Sequence, residues 1–250
     1  MTDRYSLFAW DYELFNPVNQ KAVGWYLSHI NQSGGPVLEL ACGTGRLMAE
    51  IAKNGFEIDG LDLSPEMLKI AQSHHSQLPD DTKSRLRLTE GDMTDFKLDK
   101  KYGTFIIADN SFTELTNDKA RLNCLDCIKN HLKPDGQILA AVRRWKESDF
   151  KNGLLDSGWS KTFKHPETGK ESSRRSVTQL DPQLRTVTSQ LTYQFGDQTH
   201  EFTRKYDWLD TKDYKNVFNQ ADYRTEFTIN YSDQPDDQIH SVLCIRAGLI

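Results

Sequence analysis

The sequence predicts a doubly wound α/β fold with a smaller antiparallel β-sheet inserted after its fifth strand. Short apolar runs alternate with single helical stretches as far as Val142, an arrangement that forces a parallel sheet covered on both faces. From about Trp145 to Asp207 the helical period is absent, and turn signals separate segments rich in Thr, Val, Tyr and Phe. That reads as an antiparallel meander with one wet face.

The first strand, Val37 to Ala41, runs into Gly43-Thr44-Gly45. Arg46 to Lys53 is helical, with apolar residues at 47, 48, 51 and 52, and Asn54-Gly55 stops it, as Gly does at a helix C-terminus. Phe56 to Leu61 is the second strand, and Ser64-Pro65-Glu66 opens the next helix. Ser is a good N-cap, Pro suits the first helical position, and an acid suits the positive helix end. Arg85 to Leu88 is a third strand, and Tyr102 to Ala108 a fourth that is apolar enough to be buried on both faces. Asn117 to Leu132 is a helix stopped by Lys133-Pro134-Asp135-Gly136, and Gln137 to Val142 is the fifth strand.

Within the insertion, Ser172 to Leu180, Leu184 to Phe195 and Thr199 to Tyr206 are strands, set off by turns at Pro166-Glu167-Thr168-Gly169, Asp181-Pro182 and Gly196-Asp197. Thr211 to Gln220 is a helix with Thr211 as its N-cap, and Arg224 to Tyr231 and Ile239 to Ile245 are closing strands. The expected organisation is a domain formed by residues 1–144 and 206–250, interrupted by a β insertion at 145–205.

The 250 residues include 31 Lys and Arg against 36 Asp and Glu, a net charge of −5. No basic face is implied, so nucleic acid is not an expected partner. The longest wholly apolar run, Phe105 to Ala108, falls far short of the roughly 20 residues a bilayer span needs. Acids stand in the N-terminal segment where a signal peptide has its apolar core. Four cysteines make no disulfide framework. A cytoplasmic protein with free thiols is expected. Cys124 and Cys127 fall one turn apart on a helix, but no second pair and no His at ligand spacing joins them, so no metal is expected.

The most informative segment is Glu39-Leu40-Ala41-Cys42-Gly43-Thr44-Gly45-Arg46. Glycines at a strand-to-helix turn let a ligand approach the backbone and leave helix N–H groups facing it. Asp62 ends the next strand, 17 residues after Gly45, where a doubly wound sheet holds a ribose. A nucleoside cofactor is implied. A dinucleotide site asks for a third glycine, and Met48 stands there instead; its side chain is expected to crowd the close packing that glycine permits. A carboxylate at Glu39 repels phosphate and attracts an ammonium. The ligand therefore carries a cationic amino group near the turn and a ribose near Asp62.

These residues resemble the class I S-adenosylmethionine-dependent methyltransferases. Glu39 to Gly45 resembles the first motif, with Ala41 where glycine is commoner; Gly60-Leu61-Asp62-Leu63-Ser64-Pro65-Glu66-Met67 resembles the ribose motif; Gly91-Asp92-Met93 resembles the adenine motif. Asp109-Asn110-Ser111-Phe112 resembles the fourth motif, and Leu132 to Gly136 the turn before strand five. Five motifs in register cover Val37 to about Val142.

The resemblance implies a Rossmann-like, mostly parallel sheet of seven strands with the last antiparallel. It implies S-adenosylmethionine as cofactor, bound by Tyr12, Glu39, Ala41, Gly43, Gly45, Asp62, Leu63, Met67, Asp92, Met93 and Asp109. Residues 1–30 are similar to the family's N-terminal lid, whose aromatic–acid pair is matched by Tyr12-Glu13, with Tyr5 and Ala9 upstream. Small-molecule N-methyltransferases, including those of amino sugars and amino acids, carry a small sheet after strand five that roofs the active site. Here Arg143-Arg144-Trp145 follows that strand, a departure that suits an acidic group on the substrate.

An amine nucleophile needs only its lone pair, whereas a hydroxyl usually needs a general base. No clear base stands out; His74-His75 is expected on the exposed end of a helix. Asn110 and Tyr12 are the candidate catalytic residues. Transfer to the amine nitrogen of a small molecule is the expected reaction, by a monomer or homodimer without membrane attachment. A hydroxyl acceptor, a peptide N-terminus, a nicotinamide oxidoreductase and a non-catalytic cofactor-binding module are the alternatives.

Overall fold

In the computed structural model, the described residues are Ala9, 12–164, 169–231 and 241–250, with the side chains of Glu13 and residues 31–33 excepted. The lid residue Tyr5, the Glu13 side chain, the turn residues Pro166-Glu167-Thr168 and the start of the last strand at Ile239 lie outside them. The chain forms two compact units, Met1–Arg143 with Thr211–Ile250, and Arg144–Asp210.

The first unit begins with α1 (Tyr12–Phe15) and α2 (Gln20–Ser33). Five strands and the helices between them follow: β1 (Val37–Leu40), α3 (Arg46–Lys53), β2 (Ile58–Asp62), α4 (Pro65–Ser76), α5 (Asp80–Lys83), β3 (Leu86–Glu90), β4 (Tyr102–Ile107), α6 (Asp118–His131) and β5 (Leu132–Arg144). After the second unit come α7 (Thr211–Gln220), β11 (Tyr223–Ile229) and β12 (Ser241–Leu249). The seven-stranded sheet has the order β11-β12-β5-β4-β1-β2-β3. β1 pairs in parallel with β2 and β4, β3 with β2, and β4 with β5. β12, the last strand, is antiparallel to β11.

Strand order reverses at β1, which lies between β2 and β4. Connections leave such a point in opposite directions and open a crevice at the carboxyl ends of its strands. Every residue of β1, β2 and β4 is buried, as a sheet packed on both faces requires. Helix starts follow local chemistry. Ser64 caps α4 by accepting the Met67 N–H at 3.3 Å, with Pro65 at its first position. Asn117 caps α6 by accepting from Ala120.

Four details differ from the sequence reading. The chain passes from α6 into β5 at Leu132 without an intervening stop turn, so Pro134 and Gly136 lie within the strand; the pairing register shifts there, between Tyr102 and Thr104. α7 begins at Thr211 rather than after it. His75 is not exposed: Met67, Ala71 and His75 form the buried stripe of α4, at the four-residue spacing that keeps side chains on one helix face. Met48 is fully buried without crowding the sheet, because a Cβ at Gly60 on β2 is what its thioether would strike. The missing glycine of the turn reappears one strand away.

The second unit contains β6 (Leu154–Trp159), β7 (Phe163–Lys164), β8 (Glu171–Asp181), β9 (Thr186–Phe195) and β10 (Gln198–Asp207). They form an antiparallel sheet of order β10-β9-β8-β6, with β7 on β8. Its small core is Phe150, Leu180 and Val187, against which Trp145, Leu155, Tyr206 and Trp208 pack. The sequence reading lacks β6 because Asp, Ser and Gly interrupt its apolar pattern, and β7 because two residues are too few to show a period.

Candidate functional site

The glycine turn between β1 and α3 is held in left-handed conformations at Ala41, Gly43 and Gly45, with φ of 53°, 56° and 72°. Glycine reaches that region freely, whereas Ala41 does so at a cost of about 1–2 kcal/mol. Gly45 has a second reason to be glycine: a Cβ there meets His75 Nε2 at 2.7 Å. The same imidazole nitrogen lies 3.4 Å from the Gly45 carbonyl oxygen. Burial pushes the His75 pKa down, so the ring is held neutral under the turn.

Asp62 is turned toward this loop and is 9% exposed. One carboxylate oxygen accepts the Gly43 N–H at 2.7 Å and the other accepts the Ser64 N–H at 2.9 Å. Leu63 beside it is 67% exposed, whereas Met67 is buried. Past β3, Asp92 caps its own turn, accepting the Thr94 N–H and O–H at 2.7 and 2.8 Å. Met93 is half-buried next to it.

At the carboxyl ends of β1 and β4 lies a cavity whose lining includes Tyr12, Tyr26, Glu39, Ala41, Arg46 and Asp109. Glu39 is 4% exposed and its Oε2 has no hydrogen-bond partner among the described residues. Burial, then the nearby Asp109, raises its pKa well above the usual carboxylate range, with Arg46 pulling the other way. Arg46 pairs with Asp109 at 3.1 Å and lies over the Tyr12 ring, 4.8 Å from its centroid. The cavity thus holds a buried acid and a half-buried guanidinium, the two charges an amino-acid group needs. Arg46 and Tyr26 were missed in the sequence; Arg46 stands one residue past the last glycine, whereas Tyr26 carries no motif signal.

A second cavity of about 520 Å³ shares Asp109 with the first and is lined also by Asn110, Val142, Arg143, Tyr231 and Ser241. Asn110 has φ of 74°. Its amide oxygen accepts the Arg143 N–H at 2.8 Å and its own N–H donates to the Ala141 carbonyl at 3.0 Å. It therefore ties the end of β4 to β5. Arg144 and Trp145 fall in the second unit. The Trp145 ring lies tilted against Phe150, 5.6 Å between centroids, and its carbonyl accepts from the Trp208 indole at 3.2 Å. Trp145 thus packs, partly buried, against the small core. Among the described residues, no cluster of metal-ligating side chains is present, and no helix is long and apolar enough to cross a membrane.

Residues 37–136 match the family described as a methyltransferase domain. Over those residues the chain carries a methyltransferase domain. The chain is 29% identical over 122 residues to a dTDP-3-amino-3,6-dideoxy-alpha-D-glucopyranose N,N-dimethyltransferase of Streptomyces fradiae, a match covering 49% of this chain and 44% of that protein. A glycine/sarcosine/dimethylglycine N-methyltransferase of Actinopolyspora halophila is 28% identical over 213 residues, covering 82% of this chain and 35% of that protein. The methyltransferase domain and its inserted sheet together share the fold of an S-adenosylmethionine-dependent methyltransferase from Clostridium acetobutylicum, with a TM-score of 0.74, 16% identity and 99% of each chain covered. Each match to these curated relatives spans less than half of the relative's length.

Proposed function

We propose that the chain is an S-adenosylmethionine-dependent methyltransferase that moves a methyl group to the amine nitrogen of a small molecule. One observation carries this reading: the glycine turn, tied to Asp62, borders a cavity in which a buried carboxyl oxygen of Glu39 lacks a partner. An unpaired buried acceptor is costly in isolation, and the ammonium of the cofactor's methionine part is the donor that suits it. The family match on residues 37–136 and the N-methyltransferase activities of the relatives support the same reading.

When bound, S-adenosylmethionine supplies an electrophilic methyl group on a sulfonium. Glu39 holds the ammonium, and the turn at Ala41, Gly43 and Gly45 lies along the methionine chain. Asp62 accepts the ribose hydroxyls, at the position where a doubly wound sheet holds a ribose. Leu63 and Met67 flank the sugar and base, and Asp92 with the Met93 N–H reads the adenine. Tyr12 covers the methionine end, and the Asp109 carbonyl completes that end of the site.

The acceptor is assigned to the second cavity, next to Asp109. Arg143, which lines it, pairs with an acidic group on the substrate. Arg144 is assigned the same role. Asn110, with its amide oxygen accepting from Arg143, orients the acceptor through its N–H donors. An amine enters with its lone pair free, so the chain need only position it and exclude water. The test is incubation of the full chain with methyl-labelled cofactor and a panel of small amines and hydroxyl compounds. Label in an amine fraction supports the reading; label only on oxygen, or none, overturns it.

A further inference from the structure

Tyr26 stands on α2, outside every motif of the sequence. Its ring is held by Trp25, edge-on at 5.1 Å between centroids, and by Tyr231 at 6.3 Å. The residue is 1% exposed, yet its hydroxyl has no hydrogen-bond partner among the described residues. It lines the cavity that contains Glu39, whose Oε2 is likewise without a partner. Two buried polar atoms left unsatisfied in one cavity call for a ligand that brings complementary groups.

The chemistry of the two atoms is not the same. Burial, reinforced by Tyr231 and Asp109, raises the phenol pKa, so the Tyr26 hydroxyl keeps its proton and serves as a donor. The Glu39 carboxylate can only accept once ionised. An amino-acid end presents one group of each kind: an ammonium that donates and a carboxylate that accepts. We propose that Tyr26 is a further cofactor-binding residue, donating its O–H to the carboxylate of the methionine part while Glu39 takes the ammonium. This rests on the cofactor reading above.

Calorimetry on the full chain with two ligands tests it: S-adenosylhomocysteine, and its decarboxylated analogue, which keeps the ammonium. Tyr26→Phe removes one oxygen and preserves the ring packing. It is expected to weaken S-adenosylhomocysteine about tenfold, the effect of losing one hydrogen bond to a charged group. It leaves the analogue's affinity unchanged. Its Tm stays level or rises, because a buried unpartnered hydroxyl has gone. Glu39→Gln weakens both ligands. Unchanged affinity for S-adenosylhomocysteine in Tyr26→Phe, or an equal loss for both ligands with a lower Tm, overturns the assignment of Tyr26 alone. Failure of the unaltered protein to bind either ligand overturns the cofactor reading and this assignment with it.

Discussion

The Asp62 carboxylate accepts the Gly43 N–H at 2.7 Å, joining the end of β2 to the glycine turn that follows β1. The acid and the glycine, 19 residues apart in the chain, therefore form one structural piece before any ligand arrives. Asp62→Asn puts an amide N–H₂ opposite one of two backbone donors, Gly43 N–H or Ser64 N–H. A buried donor left facing a donor costs about 1–3 kcal/mol. Thermal unfolding is expected to show a Tm lowered by several degrees; an unchanged Tm would mean that this link does not hold the turn.

Glu39 gives a pH signature. Its pKa is raised in the folded protein, chiefly by burial, so the native state binds this proton more tightly than the unfolded chain does. As pH rises from the ordinary carboxylate range through the folded-state value, the unfolded chain releases the proton first, and the contribution of this group to stability falls. Below that window the group contributes its full share. Glu39→Gln removes the titration, so its Tm relative to the unaltered protein rises with pH. Tm measured for both proteins from pH 4 to pH 8 checks this; a constant difference contradicts it.

Ala41 occupies the left-handed region with φ of 53°. Glycine relieves the steric cost there, while giving back part of the gain through greater freedom of the unfolded chain. Ala41→Gly is expected to stabilise the protein by about 0.5–1 kcal/mol. Denaturant unfolding that shows a loss of stability rules out strain at this residue.

Gly60 makes room for Met48. A side chain at position 60 meets the Met48 thioether and the Cys42 thiol. Gly60→Ala is expected to cost about 1–3 kcal/mol, the range for overpacking, and Met48→Ala in the same protein should recover part of that loss. Double-mutant unfolding measures the coupling; purely additive losses would mean that the two residues do not compete for space.

The strands and helices of the first unit were legible because their apolar periods are long and their stops are glycines, as at Gly55. The turn and Asp62 were legible by spacing alone. What failed depended on contacts between elements. Met48 looked oversized until β2 was placed beside it with Gly60 in register. His75 looked like surface, although its spacing from Met67 and Ala71 already put it on the buried stripe. Tyr26 carried no signal because its importance comes from a cavity assembled from α2, β1 and the end of β4. The aromatic content of the insertion was visible, but that Trp145 packs against Phe150 depends on the fold of the small sheet.

A crystal structure of the chain grown or soaked with millimolar S-adenosylhomocysteine is the most direct test of the site. The expected result is the ribose hydroxyls within hydrogen-bond distance of both Asp62 oxygens and the ammonium against Glu39. Density elsewhere, or an Asp62 carboxylate turned away from the sugar, would contradict it.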